Sequence, residues 1–267
     1  MKIFSYQGTP VAKDIHANLA TIRHTAAAAT ALNIDVIVFP ELFVTGYNIG
    51  DAVKTLAEPI DGFIVSSLRT IAKQHHVAIV CGFPEKASEL LFNSAIAISK
   101  SGNIVGHHHK VFLFGDREKV LFTPGAKFTS FDLDGVHCGL SICYDIEFPE
   151  TCRDLAHQGA RVIFNPTANM QPYIEVPLTL ARARALENGV VVVYANLSGE
   201  EDGLFYTGLS GIIGPDGKDI ARAGEGETTL ICTLDKSILS PNPQLFSTQL
   251  SDLYHSTYYR AKQTLND

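Results

Sequence analysis

Residues 34–41, IDVIVFPE, decide the fold class of this chain. The apolar run that precedes Pro40 does not alternate with polar residues, which is typical of a strand buried on both faces of a sheet. Pro40 ends this run, so Glu41 is predicted to lie at the end of a buried strand. Residues 2–6 predict an earlier strand, and the Ala-rich residues 14–32 predict a helix between the two. This order favours an α/β fold built on parallel strands.

The chain beyond Glu41 first continues this alternation and then changes to hairpins. We expect a helix that is capped by Asp61 and runs to about residue 75, followed by the buried strand VAIVCG. Residues 94–99 and 104–109 flank a Gly-containing turn and predict an antiparallel hairpin, and residues 131–142 predict another around Asp134-Gly135. The sheets are therefore expected to be mixed.

After Cys143 the first pattern returns. It predicts a helix near 149–158, a strand at 161–166, a helix at about 175–187 and a strand at 191–196. We interpret this return as an internal duplication in which each half ends a buried strand at the wall of a site. Residues 208–218 add a strand and a Pro-Asp-Gly turn.

No linker or compositional break divides the sequence, so we expect one α/β domain over residues 1–267 with helices outside the sheets. Two interpretations of the C-terminal segment, about 240–267, stay open. It is either a helix docked on its own domain or an arm laid on a partner subunit.

Composition excludes several classes of protein. The chain has 267 residues, 46% of them hydrophobic, and a net charge of −7. The negative charge argues against nonspecific binding to nucleic acid or to an anionic membrane. No apolar stretch approaches the ~20 residues of a membrane span, and the five cysteines form no CxxC pair. We therefore expect a soluble, cytoplasmic protein with reduced thiols.

Cys143 is the candidate nucleophile. It lies in HCGLSICYDIEFPE (137–150), where an apolar strand ends in a polar segment that opens a helix. At such a junction a thiol points out of the sheet edge, and backbone N–H groups can favour the thiolate and hold an oxyanion. The alternative is a small buried hydrophobic residue, which fits the other four cysteines better.

Glu41 and Lys110 are the other candidate catalytic groups. A carboxylate held at the end of a buried strand has a raised pKa and is a credible general base, although most loop carboxylates are solvated. Lys110 lies between a strand and the apolar segment VFLFG, so its ammonium group can be anchored. The alternative for Lys110 is an ordinary surface lysine.

The histidines suggest two other kinds of site, a metal site and the active site of a Cys-His hydrolase. In the run 107–109 only His107 and His109 share a strand face, and no carboxylate lies at ligand spacing beside them, so no metal is expected. His137 and His157 flank Cys143, which leaves a Cys-His hydrolase open. The chain has no GxSxG, HExxH, P-loop or dinucleotide-binding motif.

Three segments taken together resemble the nitrilase, or carbon-nitrogen hydrolase, superfamily. They are FPELFVTGY (39–47), HKVFLFGDREKVLFTPG (109–125) and CYDIEFPE (143–150). Residues 184–196, 208–217 and 251–254 are also similar to that family, so the match spans nearly the whole chain in order. The resemblance implies a four-layer αββα sandwich, and it implies subunits that pair into a homodimer or a larger homo-oligomer. Of the two interpretations of the C-terminal segment, the resemblance favours the interface arm over the helix docked on its own domain.

The resemblance also implies roles for individual residues. Glu41 would be the general base, Lys110 the positive stabiliser and Cys143 the nucleophile that attacks a carboxamide and forms a thioester. Glu118 matches a second carboxylate that orients the lysine, or forms an ordinary salt bridge. The backbone N–H of Tyr144 would help to hold the oxyanion, and no cofactor is required.

The motifs also bear on the class of substrate. Nitrilases have Trp after the nucleophile, whereas this chain has Tyr144 and no Trp, which favours an amide over a nitrile. The motifs look most like those of amidases acting on small aliphatic or amino-acid amides. Tyr47, Tyr144 and Asn169 are candidates to line the acyl pocket. An ω-amidase of α-keto acid amides, an N-carbamoyl amide hydrolase, a nitrilase and a non-enzymatic scaffold subunit are the alternatives.

Overall fold

Two six-stranded mixed sheets form the centre of the molecule. A computed structural model describes residues 1–240 together with Asp252 and Ser256, so the predicted C-terminal arm lies almost wholly outside the described residues. The strands are β1 (Lys2–Gln7), β2 (Val36–Val38), β3 (Ala78–Ala87), β4 (Leu90–Ile98), β5 (Ile104–His109), β6 (Thr129–Leu133), β7 (Val136–Leu140), β8 (Val162–Thr167), β9 (Val191–Asn196), β10 (Glu200–Glu201), β11 (Leu204–Phe205), β12 (Gly211–Ile213), β13 (Asp219–Arg222) and β14 (Thr228–Thr233).

Seven α-helices lie within residues 1–240. They are α1 (Ile15–Ala31), α2 (Val53–Leu56), α3 (Phe63–His75), α4 (Gly115–Leu121), α5 (Pro149–His157), α6 (Ala181–Asn188) and α7 (Lys236–Leu239). A π-helical turn, Val176–Leu180, precedes α6, so the helix expected over about 175–187 is divided in two. No helix among the described residues is both long enough and apolar enough to cross a membrane.

The two sheets share one plan of strand directions. Their orders are β14-β1-β2-β3-β4-β5 and β13-β12-β9-β8-β7-β6. Strands β1, β2 and β3 are parallel, as are β7, β8 and β9, and each parallel set continues into an antiparallel pair of strands. β2 and β8 occupy equivalent central positions, which agrees with the internal duplication predicted from the sequence.

Three layers of buried side chains separate the sheets and helices. Ile37 and Leu68 belong to the layer between the first sheet and helices α1 and α3. Val38 and Phe164 belong to the layer between the two sheets. Ile163 belongs to the layer between the second sheet and helices α5 and α6. The order of layers is αββα, as the family resemblance implies, and β2 is buried on both faces as its sequence predicts.

The start of α3 differs from the prediction. Gly62, not Asp61, stands before the first helical residue, and it offers no capping side chain. The carboxylate of Glu58 instead accepts a hydrogen bond from the backbone N–H of Ile64 at 2.7 Å. The side chain of Glu58, four residues before Gly62, therefore supplies the acceptor for a backbone N–H group in the first turn of α3.

The ends of β2 and β8 meet at one edge of the sandwich. Glu41, three residues beyond β2, donates its backbone N–H to the carbonyl of Thr167 in β8 at 3.4 Å. The backbone of the Glu41 loop also lies against Gly82 in β3. A Cβ atom on Gly82 would come within 2.5 Å of the Leu42 nitrogen and 2.7 Å of the Glu41 Cα atom. Only glycine permits this approach, which places Glu41 between the two sheets.

Candidate active site

A buried lysine is at the centre of the candidate site. The Nζ atom of Lys110 donates to Glu41 Oε1 at 2.6 Å and to Glu118 Oε1 at 2.8 Å, and its side chain has no exposed surface. Burial alone would lower the pKa of Lys110, but the charges of Glu118 and Glu41 raise it well above its ordinary value. The ammonium group is therefore charged and anchored, in contrast to a surface lysine.

Glu41 has one engaged and one free carboxylate oxygen. Its Oε1 atom also accepts from Asn93 Nδ2 at 2.7 Å. Its Oε2 atom is buried and has no hydrogen-bond partner among the described residues. Burial raises the pKa of Glu41, Lys110 lowers it and Glu118 raises it, with a net upward shift. Glu41 thus has a free oxygen and the raised proton affinity of a general base.

Glu118 is fixed by three donors. Besides Lys110, the hydroxyl of Tyr47 donates to its Oε1 atom at 2.7 Å, and the backbone N–H of Phe114 donates to Oε2 at 2.9 Å. Glu118 lies in the first turn of α4 and is buried. Through its hydrogen bond with Nζ, Glu118 fixes the position of the Lys110 ammonium group.

Cys143 sits at a strained turn directly after the second sheet. Three residues past β7, it has a φ of +46°, and it begins a 3-10 helix over Cys143–Glu147. Non-glycine residues rarely adopt this left-handed conformation, and such strain is concentrated at functional turns. The predicted strand-to-helix junction is present.

Burial decides the protonation state of Cys143. Burial of the thiol and the charge of Glu41 raise its pKa well above the ordinary value, and this outweighs the opposite effects of Lys110 and of a backbone hydrogen bond with Ala168. A backbone hydrogen bond does favour the thiolate, as predicted, but burial and Glu41 outweigh it in the resting site. Burial is the largest cause of the raised pKa, and the neighbouring Glu41 carboxylate adds to it. The neutral thiol needs a base.

Asp145 organises the turn, and the sequence analysis missed it. This buried carboxylate accepts from the backbone N–H of Ile142 at 3.0 Å and from those of Val111 and Phe112 at 3.1 and 2.8 Å. Nε2 of the buried His108 lies 3.0 Å from its Oδ2 atom. Asp145 thereby joins the cysteine turn to the segment that follows Lys110. Its position two residues after Cys143 was the available signal.

The three predicted pocket residues lie in different surroundings. Tyr47 contacts Glu118 through its hydroxyl. Tyr144 packs edge-on against Phe114 and lines a cavity of about 370 Å³. The side-chain nitrogen of Asn169 instead donates to Tyr173 O at 2.8 Å and to Thr207 Oγ1, so it is engaged within the protein. The remaining residues that line the Tyr144 cavity are Val111, Phe112, Leu113, Lys119, Pro124 and Phe148.

The histidines beside Cys143 in sequence do not favour a Cys-His pair. His137 lies in the first part of β7, at the opposite end from Cys143, and its Nδ1 atom lies 2.7 Å from Asp132 Oδ1. His157 is the last residue of α5 and lies about 12 Å along the helix from its first residue, Pro149. Glu41, Lys110 and Glu118 are the charged groups that shift the pKa of Cys143.

His107 and His109 do share a strand face, as predicted, but the expectation about a carboxylate was wrong. Glu85 Oε2 lies 2.5 Å from His107 Nε2 and 3.1 Å from His109 Nε2. Pairing of β3 with β4 and of β4 with β5 brings Glu85 there from 22 residues away, which spacing along the chain cannot indicate.

Comparison with known proteins assigns a class to this arrangement. The family model described as carbon-nitrogen hydrolase matches residues 2–241. The chain therefore belongs to the carbon-nitrogen hydrolase family, and it is a hydrolase that acts on carbon-nitrogen bonds.

Individual relatives narrow this class to a nitrilase-superfamily amidase. A hydrolase encoded in the pqqF 5' region of Pseudomonas protegens is 41% identical over 248 residues, which cover 92% of this chain and 86% of that protein. An (R)-stereoselective amidase of a Pseudomonas species is 37% identical over 211 residues, 79% of this chain and 76% of that protein.

A solved structure extends the similarity to the whole fold. It is a mutant of the amidase from Nesterenkonia sp. AN1 with the acetamide moiety of fluoroacetamide added covalently at the active site cysteine. The TM-score is 0.87 at 29% identity, with 98% of this chain and 96% of that chain covered.

We expect Asp145→Asn to lower both stability and amide hydrolysis. The amide nitrogen of Asn would face a backbone donor in place of an acceptor, so a buried N–H would lose its partner. The free energy of unfolding should fall by about 2 to 4 kcal/mol, measured by urea denaturation. Asp154→Asn is the control, since Asp154 accepts from Gln158 on the exposed side of α5. Equal stability of the two variants would contradict the role of Asp145.

Proposed function

We propose that this amidase hydrolyses a small aliphatic or amino-acid carboxamide to the acid and ammonia through a thioester on Cys143. The observation that carries the proposal is the buried Lys110 ammonium, hydrogen-bonded to both Glu41 and Glu118 and close enough to Cys143 to shift the pKa of its thiol. A scaffold subunit would have no need of this arrangement, because isolated charges of this kind are costly to bury.

Acylation begins with transfer of the Cys143 proton to Glu41. The free Oε2 atom of Glu41 supports this role. The raised pKa of Cys143 keeps the proton on sulfur at rest, and the raised pKa of Glu41 increases its affinity for that proton. The thiolate attacks the amide carbon, and a C–S bond forms as the carbonyl oxygen becomes an oxyanion. Lys110 Nζ and the backbone N–H of Tyr144 hold this oxyanion. Loss of one such donor commonly costs about 2.7 to 4 kcal/mol in the barrier.

The first-turn position of Tyr144 supports its role as a donor. Amide groups in the first turn of a helix have no helical acceptor, so they are available to a ligand. The edge-on contact of its ring with Phe114 at 5.3 Å holds this turn in place.

The amide bond then breaks. The nitrogen takes the proton from Glu41 and leaves as ammonia, and the oxyanion returns to a carbonyl in the thioester. A water molecule gives a proton to Glu41 and attacks the thioester carbon. The C–S bond breaks, the acid leaves and the proton returns to Cys143. Glu118 keeps Lys110 oriented through both halves of the reaction, and the scheme uses no cofactor.

The cavity beside Tyr144 supports a small, largely apolar acyl group. Its lining is mainly aliphatic and aromatic, and its volume of about 370 Å³ is at the small end of ligand pockets. The hydroxyl of Tyr47 donates to Glu118, the carboxylate that binds Lys110. Tyr144 in the place of a Trp favours an amide over a nitrile.

A second candidate substrate is an α-keto acid amide with a distal carboxylate. One observation favours it, the presence of Lys119 among the residues that line the Tyr144 cavity. An ammonium group at an otherwise apolar wall can pair with an anionic end of the substrate.

The proposal extends to compartment and assembly. All five cysteines are unpaired, which supports a reducing, cytoplasmic compartment. The family resemblance supports a homodimer or a larger homo-oligomer with the segment from about residue 240 as an arm. We also propose that the carbon-nitrogen hydrolase unit spans residues 1–267 as one domain.

Ammonia release from a panel of compounds tests both the role of Cys143 and the class of substrate. The panel contains neutral aliphatic amides, amino-acid amides, α-ketoglutaramate, N-carbamoyl amides and nitriles. We expect wild-type protein to turn over the neutral amides and Cys143→Ala to release no ammonia above the blank, because the nucleophile is gone. Cys232→Ala, which removes a partly buried thiol on β14, is the control that keeps activity.

Each other outcome has a definite meaning. Equal turnover by wild type and Cys143→Ala would reject the mechanism. Nitrile-only turnover would reject the amide assignment, and preference for α-ketoglutaramate would replace the first substrate class with the second.

The pH dependence tests the electrostatics of Glu41. Activity should fall on the acid side as Glu41 becomes protonated, at a pH above the ordinary carboxyl value of about 4.3 because its pKa is raised. Glu118 contributes to that rise, so Glu118→Gln should move the acid limb of kcat/KM to lower pH. It should also reduce kcat by about tenfold or more, since Lys110 loses one of its two partners.

Glu150→Gln is the matched control, because Glu150 is exposed on α5 and should leave the acid limb unchanged. An acid limb that moves to higher pH in Glu118→Gln would contradict the assignment of Glu41 as the base.

A further inference from the structure

A second cluster of chemically active side chains lies on the first sheet. It consists of Glu85 from β3 with His107 and His109 from β5, and we call it the Glu-His-His cluster. The ligand atoms of its three members all lie within 4.8 Å of one another. Both imidazole Nε2 atoms point at the same carboxylate oxygen, at 2.5 and 3.1 Å.

This cluster is separate from the candidate active site. Ser94 pairs with His109 across β4 and β5, and its hydroxyl donates to Glu85 Oε2 at 2.7 Å, so these residues share one face of the sheet. The next residue, Asn93, points to the other face and donates to Glu41. Because side chains alternate along a strand, the cluster faces the opposite side of the sheet from the catalytic groups.

The donor set and its spacing suit a transition-metal ion. Two imidazole nitrogens and one carboxylate oxygen form a ligand set that zinc uses in proteins. Tetrahedral bonds of 2.0–2.1 Å would place neighbouring ligand atoms ~3.3 Å apart. The distances from Glu85 to the two histidines need to open by less than about 1 Å to reach that value.

The surroundings hold these ligands in place. The Ser94 hydroxyl orients the carboxylate, and the Phe92 ring stacks on the His109 ring with centroids 3.9 Å apart. Such outer contacts commonly fix metal ligands.

Solvent can reach the cluster from one side. The side chains of His107 and His109 are 28% and 27% exposed, whereas that of Glu85 is 4% exposed. An ion can therefore enter over the histidines and keep water as a further ligand.

We propose that Glu85, His107 and His109 bind one divalent transition-metal ion of the zinc class, with water completing its coordination. The ion links β3 to β5 across β4, at the end of the strand that leads into Lys110. It acts as a structural brace of the first sheet and takes no part in the amide chemistry.

A zinc titration of the untagged full-length chain, against a chromophoric chelator, tests this proposal. We expect one Zn²⁺ per chain and a rise in Tm on its addition, because an ion that binds only the folded state stabilises it. His107→Ala and Glu85→Gln should each weaken binding at least about tenfold. His137→Ala is the control, since His137 pairs with a carboxylate on the other sheet and belongs to no three-ligand cluster among the described residues.

The thiol of Cys143 is the competing zinc ligand, and a further variant separates the two. The Glu-His-His cluster should keep its ion in Cys143→Ala. Zinc binding that survives in His107→Ala and is lost in Cys143→Ala would overturn the proposal, as would a wild-type chain that binds no zinc. If the His107 and Glu85 variants fail to fold, the visible absorption spectrum of Co²⁺ added to Cys143→Ala tests the proposal instead. Bands of a low-coordinate histidine site support the proposal, and the spectrum of aqueous Co²⁺ contradicts it.

Discussion

The interaction on which the rest of the site depends is the hydrogen-bonded contact of the Lys110 ammonium with two buried carboxylates. Neither Glu41 nor Glu118 could remain charged in the interior without it, and the ammonium could not remain charged without them. Burial raises the pKa of Glu41 against the opposing charge of Lys110, and burial together with the charge of Glu41 raises the pKa of the neighbouring Cys143 thiol. One electrostatic arrangement thus supplies a base, an anchored cation and a nucleophile that is neutral at rest.

The fold brings these charges together from separate segments. Parallel strands place their ends at one edge of each sheet, which positions the Glu41 loop after β2 and the Ala168 backbone after β8. Asp145 then ties the strained turn at Cys143 to the segment beyond Lys110. Because the sandwich buries this edge between its two sheets, small shifts in the backbone would separate groups that must remain within hydrogen-bond distance.

The sequence predicts the parts of the site that lie at the ends of regular elements. The apolar run before Pro40 indicates the position of Glu41, and the strand-to-helix junction indicates Cys143. Asn93 and Glu85 could not be predicted, because strand pairing brings them to partners 52 and 22 residues away. The pKa of Cys143 also escaped prediction, since it depends on how closely Glu41 packs against the thiol. The cap of α3 was assigned to the wrong residue because a longer side chain, that of Glu58, reaches the helix start.

Comparing unfolding free energies of Lys110→Met and of the triple variant Glu41→Gln/Lys110→Met/Glu118→Gln tests the central claim most directly. The single change strands two carboxylates in the interior and should cost about 3 to 5 kcal/mol. The triple variant removes all three charges with little change in volume, so it should recover most of that loss. A triple variant no more stable than Lys110→Met, or a single variant as stable as wild type, would contradict the account.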